Sequence, residues 1–348
     1  MKIACFLPTL FLIVISHYGY SQTVKLYPLP QEVKSSFRAL SVVDDHTAWV
    51  AGSGGWVGAT SDGGISWHFQ QVPEFGKADF RSLYAFSSRK AIIVNAGSPA
   101  SVLLTQDGGA TWKTVYTNTD ANVFADGIDF WNEQEGVIYG DPMDRHLFLL
   151  RTTDGGLNWK EIRGPELNTG EASFAASGTG IRCKRKSELI ISTGGKTSRL
   201  FVSIDKGDSW KQLHPPATQE KESAGIFSVD RTGKTFIVVG GDFTNETGIT
   251  NNAFISADNG KTWIAPRVAP RGYRECVEFI TKNKVITTGP SGTEVSLNRG
   301  LDWHPIADEK GFHVVRKAWK GNLVVIAGKE KLGIVAAKID AGIVRRLH

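Results

Sequence analysis

Cysteine is nearly absent: the 348 residues hold three, and Cys5 falls in an N-terminal apolar leader. No Cys-x-x-Cys pair, haem-attachment motif or dense cluster among the eight histidines appears, so no metal or redox cofactor is expected. No Gly-x-Gly-x-x-Gly opens a helix after a strand, which removes the usual dinucleotide fingerprint. Long apolar runs are lacking too. The one stretch of note, Phe6–Ile15, is too short to span a bilayer. Preceded by Lys2 and followed by the small-x-small step Gly19-Tyr20-Ser21, it reads as a secretory leader, Met1–Ser21. The expectation is an exported chain, periplasmic or extracellular, beginning at Gln22 and without a transmembrane segment. Without the leader, 39 basic residues face 35 acidic ones, a net charge of +4. That is too mild and too scattered for a nucleic-acid stripe. No low-complexity linker divides the chain, so residues 22–348 are expected to form one domain. Cys183 and Cys276 fall in non-adjacent repeat units and read as two buried free thiols, a disulfide being the other reading.

What is abundant is repetition. TSDGGISW ends at Trp67, TQDGGATW at Trp112, TTDGGLNW at Trp159, SIDKGDSW at Trp210, SADNGKTW at Trp263 and SLNRGLDW at Trp303. Six copies of one box, 40 to 53 residues apart, mark a supersecondary unit used many times. Its chemistry suits a tight turn between strands. Asp62, Asp107, Asp154, Asp205, Asp258 and the corresponding Asn298 can accept backbone N–H groups two or three residues on. The glycines permit positive φ, and the tryptophans can bury themselves against a neighbouring sheet. A calcium loop would need more oxygen ligands than this single carboxylate.

Between boxes runs one plan, an apolar β-branched strand ending near glycine. Its copies are 48–52, 91–97, 136–140, 189–194, 235–240, 284–289 and 322–328. Seven units of four strands predict an all-β, seven-bladed propeller of antiparallel blades with Asp-box turns. The seventh unit lacks an outer strand, and 23–29 is the candidate to close it, removing an open edge.

The boxes resemble the bacterial neuraminidase (Asp-box) repeat. Their number, the leader and the chain length resemble the photosystem II stability/assembly factor family, with this chain reading as a relative from a non-photosynthetic bacterium. The resemblance covers essentially all of the chain after the leader. It implies a seven-bladed assembly chaperone that binds a protein through a basic patch. An oxidoreductase reading, attached to some relatives, finds no cofactor motif here.

The boxes must lie on one rim, so binding residues are expected on the opposite channel face. Candidates there are Arg38, Arg81, Asp126, Asp129, Asp141, Asp242, Tyr273, Arg274 and His313, with Glu275 and Arg316 beside them. Phe37-Arg38, Phe80-Arg81 and Tyr273-Arg274 look equivalent, and three converging arginines would receive carboxylates. In the other reading each arginine is a brace, paired with Asp126, Asp129 or Glu275. Asp141, Asp144 and His146 offer only a weak metal pattern. The reading is a monomeric protein-binding or assembly-assisting module, with a glycan as the second class of partner. The alternative is a carbohydrate-active hydrolase, sialidase-like through the arginines, Tyr273 and Glu275, or using two carboxylates among Asp126, Asp129, Asp141 and Asp242. No catalytic residue is assigned.

Overall fold

The computed structural model describes residues 22–27, 33–307 and 309–337. The leader read at 1–21 lies outside them. Every regular element among the described residues is a strand, and the strands make seven antiparallel sheets. Their inner strands are Phe37–Val42, Phe80–Ala85, Ala125–Phe130, Ile181–Lys184, Ala224–Thr232, Cys276–Phe279 and Phe312–Lys317, which define blades I to VII. Each inner strand touches the next, and blade VII returns to blade I, so the sheets form a ring around a central channel.

The burial gradient follows from the ring. Second strands such as Ala48–Gly52, Glu188–Ser192 and Val324–Gly328 are buried throughout, because a neighbouring blade covers each face. Outer strands such as His68–Gln71 and Lys113–Asn118 carry the polar residues. The outer strand of blade VII is Gln22–Tyr27, antiparallel to Lys331–Ala337.

Six sheets have four strands and blade V departs from the plan. Its fourth strand is reduced to a single bridge, Ile255 to Ile264, because Pro266 and Pro270 follow and cannot donate to a ladder. Two short strands, Glu171–Ala172 and Gly194–Gly195, extend its inner edge instead.

The boxes share one hydrogen-bond pattern. In the first, Thr60 Oγ1 donates to Asp62 Oδ1 at 2.8 Å and accepts from Gly64 N at 3.0 Å. Asp62 in turn accepts from Ser66 N and Ser66 Oγ at 2.9 and 2.6 Å. The carboxylate thus reaches four residues on, farther than the two or three expected. Gly64, with φ of 85°, occupies the left-handed region that the turn requires. In the last box Asn298 replaces the aspartate, and its amide donates to Asp302 Oδ2 at 2.7 Å.

These bonds favour ionised carboxylates. Those of Asp62, Asp107 and Asp205 are lowered from 3.8 to about 2, chiefly by the hydroxyls of Ser66, Thr111 and Ser209. Their contribution to stability is therefore complete above pH 3.8 and lost as pH falls toward 2. Thermal melts should show a decline over that window, and one that shrinks when Asp62, Asp107 and Asp205 are replaced by Asn.

The box tryptophans pack between blades. Trp49 of blade I meets Trp112 edge-on at 6.4 Å, and Trp159 meets Phe130 at 6.0 Å within the core shared by blades II and III. Cys183 and Cys276 are free thiols. Cys276 is buried, whereas Cys183 is only partly buried, against expectation, because it borders a cavity at the box-side mouth.

Candidate functional site

Each inner strand begins at the mouth opposite the boxes and ends at the box rim. Five inner strands carry a β-bulge near their start: Arg38, Arg81, Asp126 and His313, each the second residue of its strand, and Phe227, the fourth of its longer strand, lie at breaks in register. A bulge re-aims a side chain, and here it gives the mouth a ring of equivalent positions. In blade VI the position belongs to Glu275. Gly289 there abuts the carbonyl of Tyr273, as Gly52 abuts that of Ser36 in blade I. The apparent match of Arg274 with Arg38 is therefore one residue out of frame.

That slip decides the fate of Arg274. It takes the interior place of Phe37, is fully buried, and donates to Glu294 at 2.7 and 2.6 Å. It also donates to Tyr273 O and Ser291 Oγ. Arg274 is a brace, and the converging three-arginine receiver does not form. Arg38 and Arg81 do face the mouth. Arg38 Nη1 donates to Glu275 Oε1 at 3.2 Å and to Ala176 O at 2.9 Å. Arg81 Nε donates to Asp79 Oδ2 at 2.7 Å, with a third of its side chain exposed.

Asp129 and Arg316 are also misplaced by the sequence reading. They border a cavity of about 440 Å³ at the box-side mouth, with Glu278, Arg182 and Trp319. Asp129 is structural there, accepting from Phe130 N and from Cys183 N of the next blade at 2.9 and 2.7 Å. Asp230 repeats the device with Phe279 N of blade VI.

Of the three remaining acids near the mouth, Asp126 and Asp242 are buried and Asp141 is half-buried. Asp126 is 1% exposed and its oxygens have no hydrogen-bond partner among the described residues. Burial, then the charge of Asp141, pushes its carboxyl well up. Asp141 is raised by burial as well, and it accepts from Ser173 N at 2.9 Å. Asp242 is held low by Thr244, whose hydroxyl and N–H both donate to it. His146 accepts no metal-like company: Arg163 and the Asp144 carbonyl contact its ring. No group of three or more potential metal ligands occurs among the described residues.

Because the folded state favours neutral Asp126, ionisation in the unfolded chain works against folding as pH rises above 3.8. Asp126→Asn should raise the melting temperature at pH 7 and lose that advantage toward pH 4. A gain independent of pH would contradict this assignment.

One feature of the mouth escaped the sequence reading. The link from blade III to blade IV, residues 167–180, crosses the channel. Ala176 O accepts from Arg38 of blade I, and Ser177 Oγ donates to Glu275 O of blade VI at 2.6 Å. Gly178 lies against Arg81 and Ser82 of blade II, and Thr179 Oγ1 meets Ser228 Oγ of blade V at 2.7 Å. The run SFAASGTG, small apart from Phe174, is the signal that could have revealed it.

Over this plug opens a cavity of about 760 Å³. Phe174 stacks on Phe227 at 3.9 Å, and Tyr273 and Phe243 meet Phe227 edge-on. Arg38, Arg81, Lys310 and Lys329 also line it, against Glu246 and Glu275. His313 stands in its wall with Nδ1 2.6 Å from Glu275 Oε2. Arg81 is shared with an adjoining cavity of about 470 Å³.

Fold and mouth together define a seven-bladed propeller with an aromatic, cation-rimmed cavity over its plugged channel. Residues 85–179 match the family model described as photosynthesis system II assembly factor YCF48. The chain is similar in structure to YCF48 bound to D1 peptide, with TM-score 0.64 and 17% identity over 90% of this chain and 97% of that one. It is similar to YCF48 from Cyanidioschyzon merolae, with TM-score 0.65 and 14% identity over 89% and 98%. Streptogramin B lyase shares the fold, with TM-score 0.66 and 13% identity over 91% and 98%. No curated protein matches the sequence.

Proposed function

We propose that this protein is an exported, monomeric assembly-assisting module that holds an extended acidic segment of a partner protein at the mouth opposite the boxes. The observation that carries the reading is the 760 Å³ cavity, where an aromatic wall meets four cationic side chains. Arg38 is partly engaged with Glu275, but Lys310 and Lys329 are exposed and Arg81 partly so. Cations beside aromatic faces favour carboxylates flanked by apolar or aromatic side chains. That one similar propeller is described as bound to a peptide supports a protein partner. The match of residues 85–179 to an assembly-factor family supports an assembly role.

Selection of displayed acidic peptides on the purified protein tests the reading. The charge reversals Arg81→Glu, Lys310→Glu and Lys329→Glu together should cut affinity for a selected peptide by at least about 100-fold, since like charges at an interface cost several kcal/mol. The fold should persist, because these side chains are at least partly exposed. Reversal of Lys113 and Lys211 on outer strands should leave affinity unchanged. Equal loss from both sets, or none from the first, would remove the mouth from consideration.

A further inference from the structure

Beside the same cavity three successive blades contribute a chain of hydrogen bonds that peptide binding does not require. Ser36 of blade I has its Oγ 3.1 Å from His313 Nε2 of blade VII. His313 Nδ1 is 2.6 Å from Glu275 Oε2 of blade VI. Glu275 is fixed in turn by Arg38 Nη1 at 3.2 Å and by the Tyr273 hydroxyl at 3.3 Å, both on Oε1. With Nδ1–H donating to the carboxylate, Nε2 is left to accept the serine proton. This is the order of groups that activates a serine nucleophile: hydroxyl, imidazole, carboxylate.

We propose that Ser36, His313 and Glu275 form an acyl-transfer site that cleaves esters of small apolar or aromatic acids. Burial separates the three roles. His313 and Glu275 are 6% and 4% exposed, which holds the imidazole in one orientation. Ser36 is only half-buried. Ser36 also bridges to Lys329, which lines the cavity together with Arg38, His313 and Glu275. The aromatic wall of Phe174, Phe227 and Tyr273 would seat the apolar part of the ester.

The step balances without any cofactor. Ser36 Oγ attacks the ester carbonyl carbon while its proton passes to His313 Nε2. Negative charge develops on the carbonyl oxygen near Lys329 and near Arg38, whose Nε and Nη2 make no hydrogen bond among the described residues. Collapse breaks the bond to the alkoxy group, which leaves as the alcohol with the proton from His313. Water then attacks the acyl-serine, its proton taken by His313, and the acid leaves as Ser36 regains its proton. Water is the co-reactant. Ser36 is the nucleophile, His313 the general base and acid, and Glu275 a positioning residue.

A fluorophosphonate probe on the whole protein, followed by peptide mapping, tests this. The expected result is one adduct, on Ser36. Hydrolysis of p-nitrophenyl acetate should fall at least about 100-fold in Ser36→Ala and in His313→Gln, the scale of general acid–base assistance. Glu275→Gln should lower kcat and leave KM in place, a split that a merely structural residue would not give. Absence of a Ser36 adduct on folded wild-type protein, under conditions that label a known serine hydrolase, would overturn the proposal. So would ester hydrolysis that survives intact in Ser36→Ala. Adduct mapping needs no variant, so the test stands if His313→Gln fails to fold.

Discussion

Arg274→Met should lower unfolding free energy by about 3–5 kcal/mol, the usual cost of removing one partner from a buried ion pair. The arginine is fully enclosed and makes two bonds to Glu294, whose side chain is also buried. Truncation leaves that carboxylate in the interior with only the largely exposed Arg271, at 3.3 Å, as counter-charge. The double variant Arg274→Met with Glu294→Met should recover much of the loss, because no uncompensated charge remains. Denaturant melts of the two proteins make the comparison. A single variant within 1 kcal/mol of wild type would show that the pair is not needed, and the assignment of Arg274 as a brace would fail.

Trp159→Ala is the second large effect, expected at about 3 kcal/mol. The indole lies against Phe130, its Nε1 donates to Gly156 O at 3.1 Å, and it packs on the core that blades II and III share. Truncation opens a void at a seam between blades, where neither sheet can move in without breaking its own ladder. Both the unfolding midpoint and the protection of the Ile92 and Ile138 amides should fall. A melt unchanged within 1 kcal/mol would contradict a role for box tryptophans in joining blades.

These two residues also show what the sequence makes visible. Trp159 and its box were legible because the side-chain hydrogen bonds of the turn close within eight residues, and repetition marked them. The buried second strands were legible as apolar runs between glycines. Arg274 was not. Tyr273-Arg274 looks like Phe37-Arg38, yet pairing with Gly289 sets the frame one residue later and turns the side chain inward. In a strand a one-residue slip exchanges the faces. Asp126 and Asp129 misled for a related reason. They share one short strand, and about 3.3 Å per residue carries Asp129 toward the opposite mouth.

The mouth itself depended on contacts far apart in the chain. Arg38, Arg81, Tyr273 and His313 were placed there from sequence, and the structure does bring them around one cavity. What could not be read was the crossing of residues 167–180 over the channel, since its partners lie in blades I, II, V and VI. Ser36 gave no signal either. Its meaning arises only where Ser36 and His313 meet, 277 residues apart in sequence.

The central claim is that a peptide seats over the plugged channel, on the face away from the boxes. Hydrogen exchange with and without a selected acidic peptide tests it most directly. The account predicts slowed exchange in residues 171–179, 241–247 and 309–313, with the box turns around Asp62, Asp107 and Asp154 unchanged. Protection confined to the box turns, or to the box-side cavity around Cys183 and Trp319, would contradict it.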